Sequence, residues 1–171
     1  VEWAAPVGFG DSFSGYPIIG TTTALTETIS GGFSEGQGFA SEGEAVIGAS
    51  VNLAIGSEIK PMHGTIETGG HTHTELAYRV IGRLRPTGTA WNRAILVPIQ
   101  AVWHIHGLEA GEEHEHAGEA DHEEAVHAED AHEEADHHAE PDPHAGLNES
   151  WTAETPGLPA ILVKPKTIAD A

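Results

Sequence analysis

Thirteen histidines stand in this chain beside 27 acidic residues and no cysteine. Neutral imidazole and carboxylate are the usual ligands of borderline divalent metals, and a His-rich tract is a compositional sign of metal binding. The residues from 101 to 144 carry the densest such run, AVWHIHGLEAGEEHEHAGEADHEEAVHAEDAHEEADHHAEPDPH. Within it His114, His116, His122, His127, His132, His137, His138 and His144 nearly all have Glu or Asp beside them. A solvated acidic loop is the plain alternative, but solubility alone needs no histidine, so metal binding is the stronger reading.

Spacing narrows the chemistry. His122, His127, His132 and His137 recur every five residues, and five helical steps turn a side chain by about 140°, so they share no helical face. HEEAVH is not the HExxH protease motif, because its second histidine comes one residue late. Mixed pairs four apart, Glu123 with His127, Glu134 with His138 and Glu112 with His116, fit one side of a helix and would make weak two-ligand sites. Crowded like charges oppose that helix until protons or metal neutralise them. A partly disordered loop that orders on binding is therefore expected.

Two shorter pairs promise a more defined site: His71 and His73 in GGHTHTE, and His104 and His106 in AVWHIHG. Residues two apart on a strand point to one face, so each pair, if extended, presents two imidazoles to one ion. His63 in PMHG is the fifth candidate. For any one of them, a strand-end histidine with an ordinary hydrogen-bond partner is the competing reading. The metal set expected from the sequence is thus His63, His71, His73, His104 and His106 as tighter ligands. His114, His116, His122, His127, His132, His137 and His138 form a local reservoir. Zinc comes first, with nickel and copper as the other ions of that class.

The elements that must position these residues are short. The 171 residues suffice for one domain, with residues 107–157 inserted into it. YPIIGTTT, AVIG, IGSEIKPM and AILV read as strands, and ALTETI as one or two helical turns. AYRVIGRLRP and TAWNRAILVPIQAVWHIHG are the clearest strand regions, and the RPTGT between them has the Pro and Gly of a turn, so a meander or hairpin is expected. The fold expected is α+β, a mixed or mainly antiparallel sheet with short helices and a long His/Asp/Glu-rich insertion.

Charge and motifs exclude several functions. A formal charge of -20 with seven basic side chains argues against a nucleic-acid partner. Protonating all thirteen histidines would take that charge to -7 (-20 + 13), so it depends strongly on pH. Without cysteine there is no disulfide framework and no zinc-thiolate site. No apolar run approaches the roughly 18 residues of a membrane span. With Val1 first and no signal-peptide pattern, the sequence reads as a soluble piece of something longer. Nucleophile elbow, P-loop and dinucleotide fingerprint are all missing, and GDSFSG at 10–15 reads as a turn rather than a catalytic dyad. The chain is not expected to be an enzyme.

Several phrases occur in order: GDSFSGYPIIGTT, EGQGFA, EAVIGASV, HG with HTH, YRVIGRLRPTGTAWNRAILVPIQAVWHIHG, and PAILVKPKTIADA. Together they resemble the extracytoplasmic domain of bacterial FtsX-like ABC transporter permeases, the group that includes the MacB-like macrolide exporters. The resemblance covers most of the chain outside the insertion, and PTGT with Asn92 and Arg93 is its most specific piece. Trp91 and Asn92 depart from the commoner residues there, and the segment between Val46 and Ile59 is shorter than usual.

The resemblance implies a MacB-like periplasmic core at the outer face of the inner membrane, in a parent chain that spans the membrane. It implies a separate cytoplasmic ATPase, coupling by mechanotransmission, and a dimer in the full transporter. Relatives with a His-rich stretch at this position imply zinc handling and a periplasmic metal-binding or cargo protein as a further partner. The rival function is a metal-independent mechanical element that recognises a lipoprotein, peptide or other cargo, with the His tract as a pH-responsive tether.

Overall fold

The computed structural model describes residues 1–63, 71–72, 76–106, 108, 142–152, 155–157 and 160–167. Among these, the chain begins with β1 (Trp3–Phe13), the two-residue turn Ser14–Gly15, and β2 (Tyr16–Thr21) antiparallel to it. Helix α1 (Thr23–Thr28) follows, then β3 (Phe33–Gly36), β4 (Glu44–Ile47), β5 (Glu58–Ile59), β6 (Met62–His63) and β7 (His71–Thr72). The remainder is β8 (Tyr78–Leu84), a 3-10 turn at Ala90–Arg93, β9 (Ile95–Pro98), α2 (Ile99–Ile105) and β10 (Ala160–Lys164). Among the described residues no helix is long and apolar enough to cross a membrane.

Eight strands join in the order β3-β8-β4-β9-β2-β1-β6-β7, with β10 attached to β1 and β5 to β8. The sheet is mixed, parallel at β2/β9 and β4/β8 and antiparallel elsewhere. With the two short helices among the described residues, this is compatible with an α+β arrangement. The meander expected between β8 and β9 does not form, because β4 lies between them and pairs with both. The reason lies in burial: Ala45, Val46 and Ile47 of β4 and Ile95, Leu96 and Val97 of β9 are all 0 % exposed. Central strands covered on both faces read as continuous apolar runs, and these two bury each other's edge.

The side chains divide by pleat. Ala45, Ile47, Ile95 and Val97 join Ile18, Tyr78 and Val80 in one core cluster, under α2. Val46, Leu96 and Leu84 join Phe39 in another, on the opposite face. PTGT is part of the scaffold: Asn92 Oδ1 accepts from Thr87 N–H at 2.8 Å and from the Thr87 hydroxyl at 3.0 Å. The Arg93 guanidinium lies 5.5 Å over the Tyr16 ring.

The stretch IQAVWHI, expected to continue a strand, is helix α2. Its Val, Ile and Trp favour strands in isolation, but tertiary packing overrides propensity. Here the deciding residues are Gly8 and Gly20. A Cβ on Gly8 would lie 2.6 Å from Ile99 Cδ1, and one on Gly20 would lie 2.8 Å from Val102 Cγ2. These two glycines make a flat seat on β1 and β2 into which Ile99 and Val102 of the helix pack. Pro98 at the N-cap ends the strand and starts the helix.

Candidate metal centre

Helix α2 ends at Ile105, with His104 in its last turn and His106 as its C-cap. Two helical steps separate side chains by about 200°. His104 and His106 therefore diverge, and the shared strand face expected for them is not formed. Each meets a different buried carboxylate instead.

His106 Nε2 lies 3.2 Å from Asp11 Oδ2, and the Asp11 side chain is only 3 % exposed. Asp11 is the one ionisable residue in β1, so GDSFSG supplies a buried strand carboxylate as well as the hairpin turn expected there. His104 Nδ1 lies 2.7 Å from Glu42 Oε2, whose side chain is 4 % exposed. An ionised carboxylate only accepts, so in each pair the imidazole donates. A neutral ring held in that way carries its lone pair on the opposite nitrogen, Nδ1 in His106 and Nε2 in His104. This is the arrangement by which second-shell carboxylates orient metal-binding histidines. The hydrogen bond to Asp11 raises the His106 pKa above its ordinary value, against the opposing effect of burial.

The strand register extends the row. Asp11 is the cross-strand partner of His63 in β6, and His63 is the partner of His71 in β7. Directly opposed residues of neighbouring strands belong to the same face of a sheet. The backbone therefore aligns Asp11, His63 and His71, with His106 reaching Asp11 from the helix above. His73, His114, His116, His122, His127, His132, His137 and His138 lie outside the described residues.

A third buried group feels the charge of both carboxylates. Tyr78, the first residue of β8, is 1 % exposed, and its hydroxyl has no hydrogen-bond partner among the described residues. Burial, then the negative charges of Asp11 and Glu42, push its pKa upward, so it stays a proton donor. Among the described residues no three His, Asp or Glu side chains converge tightly enough to hold an ion by themselves. A full coordination shell therefore needs donors beyond these pairs. The imidazole and carboxylate donors present fit zinc chemistry.

No family model and no curated protein matches this chain.

The ends of the His/acid tract bracket these pairs. Its near end follows directly on His106. At its far end, residues 142–151 return to the body. Glu42 N–H donates to Ala145 O at 3.1 Å and Gly43 N–H to Pro143 O at 2.9 Å. Glu149 accepts from the Thr23 amide and hydroxyl at the start of α1. The Trp151 ring packs edge-on against Trp103, centroids 6.0 Å apart. Glu42 thus holds His104 with its side chain and the returning segment with its backbone.

Asp11, Glu42 and Tyr78 were not among the residues expected from sequence. A lone acid within the apolar run WAAPVGFGDSF is a readable signal for Asp11. Glu42, in a Gly- and Ser-rich stretch, gives none, and Tyr78 resembles any strand aromatic.

Proposed function

We propose that this chain is the extracytoplasmic domain of an FtsX-like, MacB-like ABC permease, lying at the periplasmic face of the inner membrane. In this reading it binds a divalent metal, zinc first, and couples that event to a separate cytoplasmic ATPase. The in-order sequence phrases support the permease half, and an α+β mixed sheet is compatible with it. The metal half rests on one observation: His106 sits on buried Asp11, which the register aligns with His63 and His71. Asp11, His106, His63, His71 and His73 would hold the tight ion, and Asp11 would either ligate it or orient His106 toward it. His104 with Glu42 stands beside them. The tract histidines, tethered at both ends next to this place, would raise the local metal concentration rather than form the site.

Calorimetric zinc titration of the chain, beside a version lacking residues 109–141, tests this. The expected result is that the shortened chain keeps one tight site and loses the weaker ones. Loss of all binding would move the site into the tract, and no binding in either would end the metal reading.

One observation favours the cargo-recognition rival. Phe9, Trp151, Ile161 and Val163 are large apolar side chains left exposed. Partner capture that is indifferent to chelators would select it.

A further inference from the structure

Two apolar hollows take consecutive stretches of β1 as their floor. One, of about 210 Å³, lies over residues 4–6 and has Ile161 and Trp151 on its walls. The other, of about 320 Å³, lies over residues 8–10 and is walled by Phe9, Trp103 and Leu108. The edge-on contact of Trp103 with Trp151 links the two. Pro6 is the cross-strand partner of Ile161, so the first hollow follows the β1/β10 pairing. The midpoints of the two β1 stretches are four residues apart in sequence, which at the usual strand rise separates the hollows by roughly 13 Å. Phe9 and Ile161 are each 60 % exposed, Trp151 49 % and Leu108 47 %. Exposed apolar side chains gathered around hollows mark interaction surfaces, whose pockets seat a partner's apolar anchors.

Charge decides between the two common occupants of such a face, a membrane surface and a protein segment. Between Glu109 and Glu149 the chain holds 16 of its 27 acidic residues and no Lys or Arg, and its formal charge is -20. Leu108 immediately precedes that run and Trp151 comes two residues after it. An anionic bilayer repels a chain so charged, whereas a peptide bearing Lys or Arg is drawn to it. We infer that the groove along β1 receives a cationic amphipathic peptide, its apolar side chains entering the two hollows and its Lys or Arg side chains attracted by the acidity of the chain. The hollows supply the fit, and the charge acts mainly on encounter. This needs no bound ion, and it gives the cargo-recognition reading, on which it rests, a class of partner.

The probe is a labelled amphipathic peptide of leucine and lysine, about 20 residues long, followed by fluorescence anisotropy on the whole chain with chelator present. It should bind, and more weakly at 1 M salt, where the screening length is about 3 Å. Phe9→Ser and Ile161→Ser, each at an exposed side chain of a different hollow, should both weaken it about tenfold. Unchanged affinity in the two variants would overturn the inference, since acidity alone would then capture the peptide. A leucine–glutamate peptide that binds as tightly would overturn the cationic class and leave the cargo-recognition reading standing. Phosphatidylglycerol vesicles that bind as tightly would make the occupant a membrane and overturn the inference. Binding of none of these probes would overturn it and also withdraw this face as support for cargo recognition.

Discussion

Asp11→Asn should weaken zinc binding about 100-fold while leaving the fold in place. Asn has the shape of Asp but not its charge, and the site loses an anionic donor together with the group that orients His106. Removing an outer-shell partner alone costs 10- to 100-fold in metal affinity, and Asp11 stands at the upper end because it meets both His106 and the His63 position. Calorimetry with zinc reads the affinity, and circular dichroism checks the fold. An unchanged dissociation constant would remove Asp11 from the site.

The same substitution has a pH signature in the metal-free protein. The His106 pKa is raised in the folded state, chiefly by its hydrogen bond to Asp11. A raised pKa means that the pair's contribution is fully present below about pH 6.5, the ordinary value, and is lost as pH rises through the folded pKa. The melting-temperature gap between the original chain and Asp11→Asn should therefore be wider at pH 5.5 than at pH 8.5. On the proposed metal reading, zinc would compete with that proton. Affinity for zinc in the original chain should accordingly fall as pH drops through the raised pKa, beginning above the ordinary imidazole range.

Gly82→Ala should be among the most damaging single changes to the sheet. A Cβ there would lie 2.0 Å from the carbonyl oxygen of Gln37 and 3.0 Å from its carbon, inside any tolerable contact. The obstruction is backbone, and it is pinned: Gln37 N–H donates to Ile81 O at 3.2 Å, and β8 is held between β3 and β4. With no flexible side chain to yield, the strands must part. Overpacking of this kind costs about 3 kcal/mol, which for a chain of this size lowers the melting temperature by roughly 10 °C. Differential scanning calorimetry of the variant measures it, and a fall under about 2 °C would show that the β3–β8 edge is looser than its geometry requires.

The parts of this fold legible in the sequence were those decided locally. Val46, Leu96 and their neighbours announce buried strands because a strand covered on both faces needs only apolar residues. AILV near the C-terminus also reads as a strand, and it is β10, although Ile161 and Val163 stay exposed there. What stayed hidden was decided at long range. IQAVWHI is helical because Gly8 and Gly20, some eighty to ninety positions earlier, leave room for it.

The proposed site divides on the same line. His63, His71, His104 and His106 were visible by residue type, yet the arrangement of the last two depends on the helix, so their common face was misjudged. Their carboxylate partners lie 95 and 62 positions away in sequence. Periodicity carries no information across such distances. Tyr78 stands out only by a buried hydroxyl with no hydrogen-bond partner among the described residues, which is a property of the packed structure.

On the proposed reading the tight zinc ion sits at Asp11 and His106, at the foot of the His/acid tract. Anomalous diffraction at the zinc edge, from crystals of the zinc-loaded chain, tests it most directly. The expected peak lies about 2 Å from a donor atom of Asp11 or from His106 Nδ1. Zinc peaks confined to tract histidines, with none beside Asp11 or His106, would contradict it.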